Sequence, residues 1–392
     1  MEIVYAREAF PTQGKSSIFL AGPSPRDTGV IPWRPEALKI LEGMGYDGHV
    51  YVPEPRSGVW DKLDPAGKTE QIEWEDTALH RSDVILFWIP RDMESLPGLT
   101  TNDEWGFWKI SGKVVLGAPP VAPHTNYQKH YGIKYEVLFA TDLISTCRNA
   151  LVRLMELNAP QPRSGGLMTV PSHIFATLNF QKWLKAQEAE GNRLEDCRVR
   201  FALWDDKGTR LVFWCLWVKL WIESEGRYKD NEVMFSRPDI ATVVLHGPVP
   251  LSLGDTKIVL VSETRLAGMN GPVLECPSGS SHNESDTPLR VAQSEMHEET
   301  GLMVPLNRIV THEARQLMAT LSIHKSHLFS VELTPGDLEW FESQSGVVRG
   351  EAGSSERTTV VCTTVGKLLE NPQADWSTVG MVLATVLRKA GC

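Results

Sequence analysis

Residues 83–90 read DVILFWIP, an acid, six apolar residues and a proline. A continuous apolar run of that length, rich in β-branched and aromatic side chains, is the pattern of a strand buried on both faces. Working outward, residues 113–118 (KVVLGA), 17–23 (SIFLAGP) and 49–53 (HVYVP) repeat it. Residues 35–44, 68–81 and 101–111 carry helix formers between these runs, with Gly45 and Gly112 where C-caps are expected. A further helix is expected around residues 133–157. Strands that alternate with helices predict an α/β fold with a doubly wound parallel sheet over residues 1–157. In such sheets ligands bind beyond the carboxyl ends of the strands.

Residues 158–195 open with Pro, Gly and Ser and are expected to be a linker carrying one helix near residues 180–190. From residue 196 the pattern turns to β. Residues 198–204 and 209–222 flank Asp205-Asp206-Lys207-Gly208, a hairpin turn signal. The run LVFWCLWVKLWI at 211–222 is too short to span a bilayer and contains Lys219, so it is expected to be a buried strand. Strands at 241–246, 257–262, 272–276, 324–333 and 358–365, with helices at 287–299 and 377–389, predict an α+β domain with a mixed sheet over residues 196–392.

The 392 residues carry a net charge of -10, which repels a phosphate backbone, so no nucleic-acid polymer is expected as a partner. The six cysteines form no C-x-x-C pair, which argues against a zinc site and a disulfide framework and fits a reducing cytoplasm. The first residues, MEIVYAREAFPTQG, lack the basic start and apolar core of a signal peptide, and no membrane association is expected.

Three segments carry chemistry in the first half: IFLAGPSPR (18–26), QIEWEDTALHRSD (71–83) and LTTNDEWGFWKISGK (99–113). Together they resemble the nucleoside 2-deoxyribosyltransferases and their wider relatives, which cleave the N-glycosidic bond of a nucleoside or nucleotide. The resemblance implies that Glu104 is the catalytic carboxylate and that Asp83 lies near the nucleobase. It places Gly22 and Pro23 in the loop that cradles the substrate. The family carries an Asp shortly before its catalytic Glu. Here Asn102 or Asp103 is the substitute, which leaves ribose against deoxyribose, and transfer against hydrolysis, open. Breaking the bond develops oxocarbenium character, which a carboxylate stabilises or captures while a second acid protonates the departing base. Near a helix start, the dipole is expected to keep Glu104 ionised, and Gly106 to leave room for a ligand or backbone. Glu75, Asp76 and His80 are expected to form a solvated face. Family members often complete the site with a neighbour's residue, so the resemblance implies a homo-oligomer.

In the second half, SEMHEETGL at 294–302 resembles the end of the Nudix box, G-x5-E-x7-R-E-U-x-E-E-x-G-U, with U a bulky apolar residue. Glu295, Glu298 and Glu299 fall at i, i+3 and i+4, on one helical face. Three like charges there suit a hard divalent cation, Mg²⁺ or Mn²⁺, which would bridge a diphosphate and activate a water. The resemblance makes Glu295 catalytic as well as a ligand. The box departs from the pattern: Ser294 replaces its Arg, Asp286 its first Glu, and the spacing from Gly279 is one residue longer. Arg290 is the expected substitute partner for Asp286. Glu351 and Glu356 are alternative general bases or parts of a solvated loop, and His297 points away from the trio.

The resulting expectation is a bifunctional enzyme acting on small nucleosides and nucleotides. One domain cleaves or exchanges a glycosidic bond, and the other hydrolyses a nucleoside diphosphate linked to a further group. The alternative keeps chemistry in the first domain and makes the altered Nudix domain a ligand sensor or oligomerisation module.

Overall fold

The four apolar runs pair side by side. The computed structural model describes residues 1–14, 16–25, 29–58, 63–157, 163–205, 210–281, 286–350 and 357–391, in two compact units, Met1–Arg237 and Pro238–Cys392.

In the first unit, β1 (Glu2–Tyr5), β2 (Ser17–Ala21), β3 (His49–Val52), β4 (Val84–Trp88), β5 (Val114–Gly117) and β6 (Phe139–Ala140) form one parallel sheet in the order β1-β3-β2-β4-β5-β6. Successive side chains alternate between two apolar layers. Ile18, Leu20, Leu86 and Val115 pack with α1 (Arg34–Gly43) and α5 (Leu143–Glu156). Phe19, Ile85, Phe87 and Leu116 pack with α2 (Pro65–Arg81) and α3 (Leu99–Trp108). Both faces are covered, which is why the strands read as unbroken apolar runs. Three features differ from expectation. The strand β1 was not anticipated. The helix expected at 133–157 is two, α4 (Asn126–Lys134) and α5, because Glu136 takes a left-handed φ of 51° and β6 intervenes. Asp142 then restarts the helix by accepting from the Ser145 amide.

The third difference is the segment after residue 162, which is packed into this unit. Arg163 and Ser172 reach the buried Asp83, and residues 178–189 form α6 (Leu178–Ala189), whose Phe180 packs on Trp214. A side chain at Gly166 would collide with the Leu194 carbonyl, so glycine lets this segment lie directly on the next strand. An antiparallel sheet completes the unit: β7 (Arg193–Trp204), β8 (Leu211–Ile222), β9 (Arg227–Lys229) and β10 (Val233–Ser236). The division therefore falls after Arg237, whereas the sequence suggested a break at 195/196. In β8 only Trp214, Leu216 and Leu220 are buried, because one face of this sheet packs and the other does not; a uniformly buried strand was expected.

The second unit has a mixed sheet. Its strands are β11 (Ile240–His246), β12 (Lys257–Glu263), β13 (Val273–Glu275), β14 (Ser278–Gly279), β15 (Val310–Gln316), β16 (Lys325–Glu332), β17 (Val348–Arg349) and β18 (Thr358–Thr364). β11 and β16 run parallel and the other pairs antiparallel. α7 (Pro288–Thr300) covers one face through Ala292 and Met296, and a last helix, Trp376–Ala390, covers the other through Val379, Val382 and Val386. Thr287 caps α7 at its start and Gly301, at φ 77°, at its end. Among the described residues no helix is long and apolar enough to cross a membrane, and the five described cysteines are free.

Candidate active site

At the carboxyl edge of the parallel sheet, β2 runs into Gly22. Its φ is +151°, and a Cβ there would sit 2.2 Å from the Trp88 carbonyl oxygen at the end of β4. Only glycine fits this approach. The buried Arg34, 1% exposed, pins the loop: Nε donates to Leu20 O (3.0 Å), Nη2 to Gly22 O (2.6 Å) and Nη1 to Ser24 Oγ (2.9 Å). Nη1 also pairs with Glu54, just beyond β3. Trp33 Nε1 donates to Pro23 O at 3.0 Å. The backbone oxygens of Gly22 and Pro23 thus hold the loop's own shape.

Glu104 lies half-buried on α3, facing α2. Burial, then the neighbouring charge of Glu75, push its carboxyl up to about 8; Arg34 opposes the shift and Asp103 adds to it. Glu104 is the sixth residue of α3, beyond the first turn in which the helix dipole acts, so the dipole does not keep it ionised as expected. Glu75 on α2 is also raised, chiefly by burial, while a hydrogen bond from Gln71 Nε2 to its Oε1 (2.6 Å) and the charge of Arg34 pull it down. Two carboxyls from neighbouring helices therefore interact beside a buried guanidinium. Glu75 is not part of a solvated face.

The other expected residues separate from this pair. Asn102 is two residues, about 200°, around α3 from Glu104. Its Oδ1 accepts from Arg91 Nη2 (2.5 Å) and Gln128 Nε2 (2.8 Å), tying α3 to α4 and to the end of β4. Asp103 is exposed and reaches Glu104 only through its charge. A Cβ on Gly106 would meet nothing within 4 Å, so this glycine marks open surface and no close approach. Asp83 precedes β4, at the opposite end of the sheet from Glu104. It is fully buried and accepts from the Ser17 and Ser172 amides and hydroxyls and from Arg163. These bonds make Asp83 an anchor of the fold. Asp76 and His80 are likewise structural: His80 Nδ1 bonds the Asp76 carbonyl oxygen (2.8 Å), and Asp76 accepts from Arg198 (3.1 Å).

Residues 15–121 match the model of the family described as nucleoside 2-deoxyribosyltransferase like. The match supports a nucleoside 2-deoxyribosyltransferase-like domain over these residues. No curated protein matches the chain. The match spans β2 to β5 and contains Gly22, Arg34, Gln71, Glu75 and Glu104. It suggests nucleoside glycosyl transfer, and hence enzyme activity, for the transferase-like domain. The sequence put Glu75 on a solvated face and did not single out Gln71 or Arg34. For the first two a signal existed: Gln71, Trp74 and Ala78 form the buried stripe of α2, and Glu75 sits at its edge.

The match ends at residue 121 and does not reach Pro238–Cys392. There α7 carries Glu295, Glu298 and Glu299. Glu299 is buried, with Oε2 accepting from the Ser278 amide (3.1 Å). Glu298 is exposed and accepts from Ser294 Oγ (2.6 Å). Glu295 lies against Gly279, where a Cβ would be 2.1 Å from its Oε1. Among the described residues no group of three His, Cys, Asp or Glu is arranged to hold a metal ion. Glu295 and Glu299 thus lie against the two neighbouring residues of β14, while Glu298 is exposed. Asp286 accepts from Ser281 Oγ (2.6 Å), and no Asp286–Arg290 ion pair forms among the described residues. Glu351 and Glu356 lie outside the described residues.

Proposed function

We propose that the transferase-like domain cleaves the N-glycosidic bond of a nucleoside or nucleotide and passes the sugar to another base or to water. The observation that carries this reading is the Glu75–Glu104 carboxyl pair beside the Arg34-pinned loop, at the carboxyl edge of the sheet. Burial first and the charge of Glu75 second hold the Glu104 carboxyl up at about 8, so the pair retains a proton near neutrality. One carboxyl then faces the anomeric carbon as an anion, and the other carries the proton. As the C1′–N bond breaks, its electron pair leaves with the base, which takes the proton, while the anion stabilises or captures C1′. The resemblance gives Glu104 the first role, which requires the proton that Glu104 holds below about pH 8 in the free chain to pass to Glu75. Glu75 takes the second, for which Asp83 is on the wrong edge of the sheet.

The test is a panel of nucleosides and nucleotides incubated with and without an acceptor base, read by chromatography. Release or exchange of base by the wild type, abolished in Glu104→Gln and Glu75→Gln, is the expected result. A wild type inert on the whole panel, or a fully active Glu104→Gln, overturns the reading.

For the second unit, the replacement of the box Arg by Ser294 and of its first Glu by Asp286 favours a ligand-binding or oligomerisation module over a hydrolase. Mg²⁺-dependent release of phosphate or mononucleotide from a nucleoside diphosphate conjugate, lost in Glu298→Gln, would restore the hydrolase.

A further inference from the structure

Gln71 lies on α2 one turn before Glu75 and is 8% exposed. Its Nε2 donates to Glu75 Oε1 at 2.6 Å. Its own Oε1 is buried without a hydrogen-bond partner. A buried amide with one unmet acceptor is a cost to the fold that an apolar side chain of the same length would avoid. The contact it does make is with a carboxyl whose charge acts on Glu104. Among the described residues no other hydrogen bond reaches the Glu75 carboxyl, so Oε2 is left for the site.

We propose that Gln71 is a positioning residue, whose amide occupies Oε1 of Glu75 and thereby directs the Glu75 proton to Oε2, the oxygen that serves the substrate. The proposal rests on the glycosidic reading above. A carboxylic acid donates only from the oxygen that bears its proton. An acid free to rotate presents that oxygen in several directions, whereas one with Oε1 held by a donor presents it in one. The charged groups that act on this carboxyl are Arg34 from α1, whose ion-pair partner is Glu54 beyond β3, and Glu104 from α3, on which Asp103 acts in turn. On α2 itself, Asp76 turns away to His80 and Arg198. None of these replaces the amide as a donor to Oε1.

The experiment compares the full-length wild type with Gln71→Met and Gln71→Glu in three readouts: melting temperature, the pH profile of kcat, and KM. Gln71→Met keeps side-chain length and removes the unmet acceptor, so its melting temperature is expected to equal or exceed that of the wild type. Its kcat is expected to fall about tenfold with KM within about threefold, in keeping with a misplaced proton donor. Loss of a donor that favours the ionised form moves the basic limb of the profile to higher pH. Gln71→Glu, which protonates to regain a donor, is expected to recover activity as pH falls. As a measurement independent of turnover, the carboxyl ¹³C resonance of Glu75, assigned by its loss in Glu75→Gln, is expected to titrate at higher pH in Gln71→Met. An active wild type with unchanged kcat, pH limb and Glu75 titration in Gln71→Met overturns the positioning role. So does a lowered melting temperature that accounts for the whole loss. A wild type inert on every nucleoside instead removes the glycosidic reading, and the ¹³C titration still decides whether Gln71 governs Glu75.

Discussion

Nη2 of Arg163 lies 2.9 and 2.8 Å from the two carboxylate oxygens of Asp83, and both side chains are buried. This contact spans 80 residues of sequence. It joins the parallel sheet to a segment that reads as a linker, and so holds that segment within the first compact unit, Met1–Arg237. Ser17 and Ser172 supply the remaining donors, so the Asp83 carboxylate is saturated.

Removing either partner leaves a buried charge alone. Asp83→Asn and Arg163→Ala are each expected to destabilise the first unit by about 3–5 kcal/mol, measured by urea denaturation. Activity per folded molecule is expected to survive in Asp83→Asn. A folded Asp83→Asn that has lost base release would return Asp83 to the chemistry.

Glu104→Gln and Glu75→Gln are expected to lower base release by about 10²- to 10⁴-fold each, read as initial rates at saturating nucleoside. The double variant should lose little more than the worse single one, because the pair acts as a unit. Additive losses would mean that the two carboxyls act independently.

The Glu104 carboxyl also ties stability to pH. Its folded value, about 8, is above the ordinary 4.5, so the folded chain holds this proton more tightly than the unfolded chain. That contribution is fully present below about pH 4.5 and is lost as pH rises through 8. Melting curves of wild type against Glu104→Gln should therefore converge at low pH, with the variant the more stable at pH 9. A difference that does not change with pH would refute the shift.

Lys113 has the opposite sign. It is buried, and its Nζ donates to the carbonyl oxygens of Leu79, His80 and Ser82 at the end of α2. Burial lowers it to about 7 from 10.5, so the unfolded chain binds this proton more tightly. Its contribution is present above about pH 10.5 and is lost as pH falls through 7. Lys113→Met is expected to remove that slope from the melting temperature between pH 7 and 10, at the cost of three uncapped carbonyls.

Gly22→Ala places a methyl group against the Trp88 carbonyl in a left-handed backbone. The loop held by Arg34 must move, so KM for the nucleoside should rise more than tenfold while the melting temperature falls. An unchanged KM would show that the loop does not touch the substrate.

The sequence by itself determined the parallel sheet, because strands buried on both faces must be apolar at every position, and 84–89, 114–118, 18–23 and 50–53 are. It also determined that Glu104 lies on the helix that follows β4, and that 287–299 forms a helix within a mixed-sheet domain. Only the tertiary structure decided which charged residues meet. A period along one helix says which side chains share its face, but not which face of another helix lies opposite. Glu75 became the partner of Glu104 because α2 and α3 lie side by side on the sheet. Asp83 became an anchor because a strand carries its first and last residues to opposite edges. Arg163 joined it because burial of one charge requires another, at whatever distance along the chain it is found.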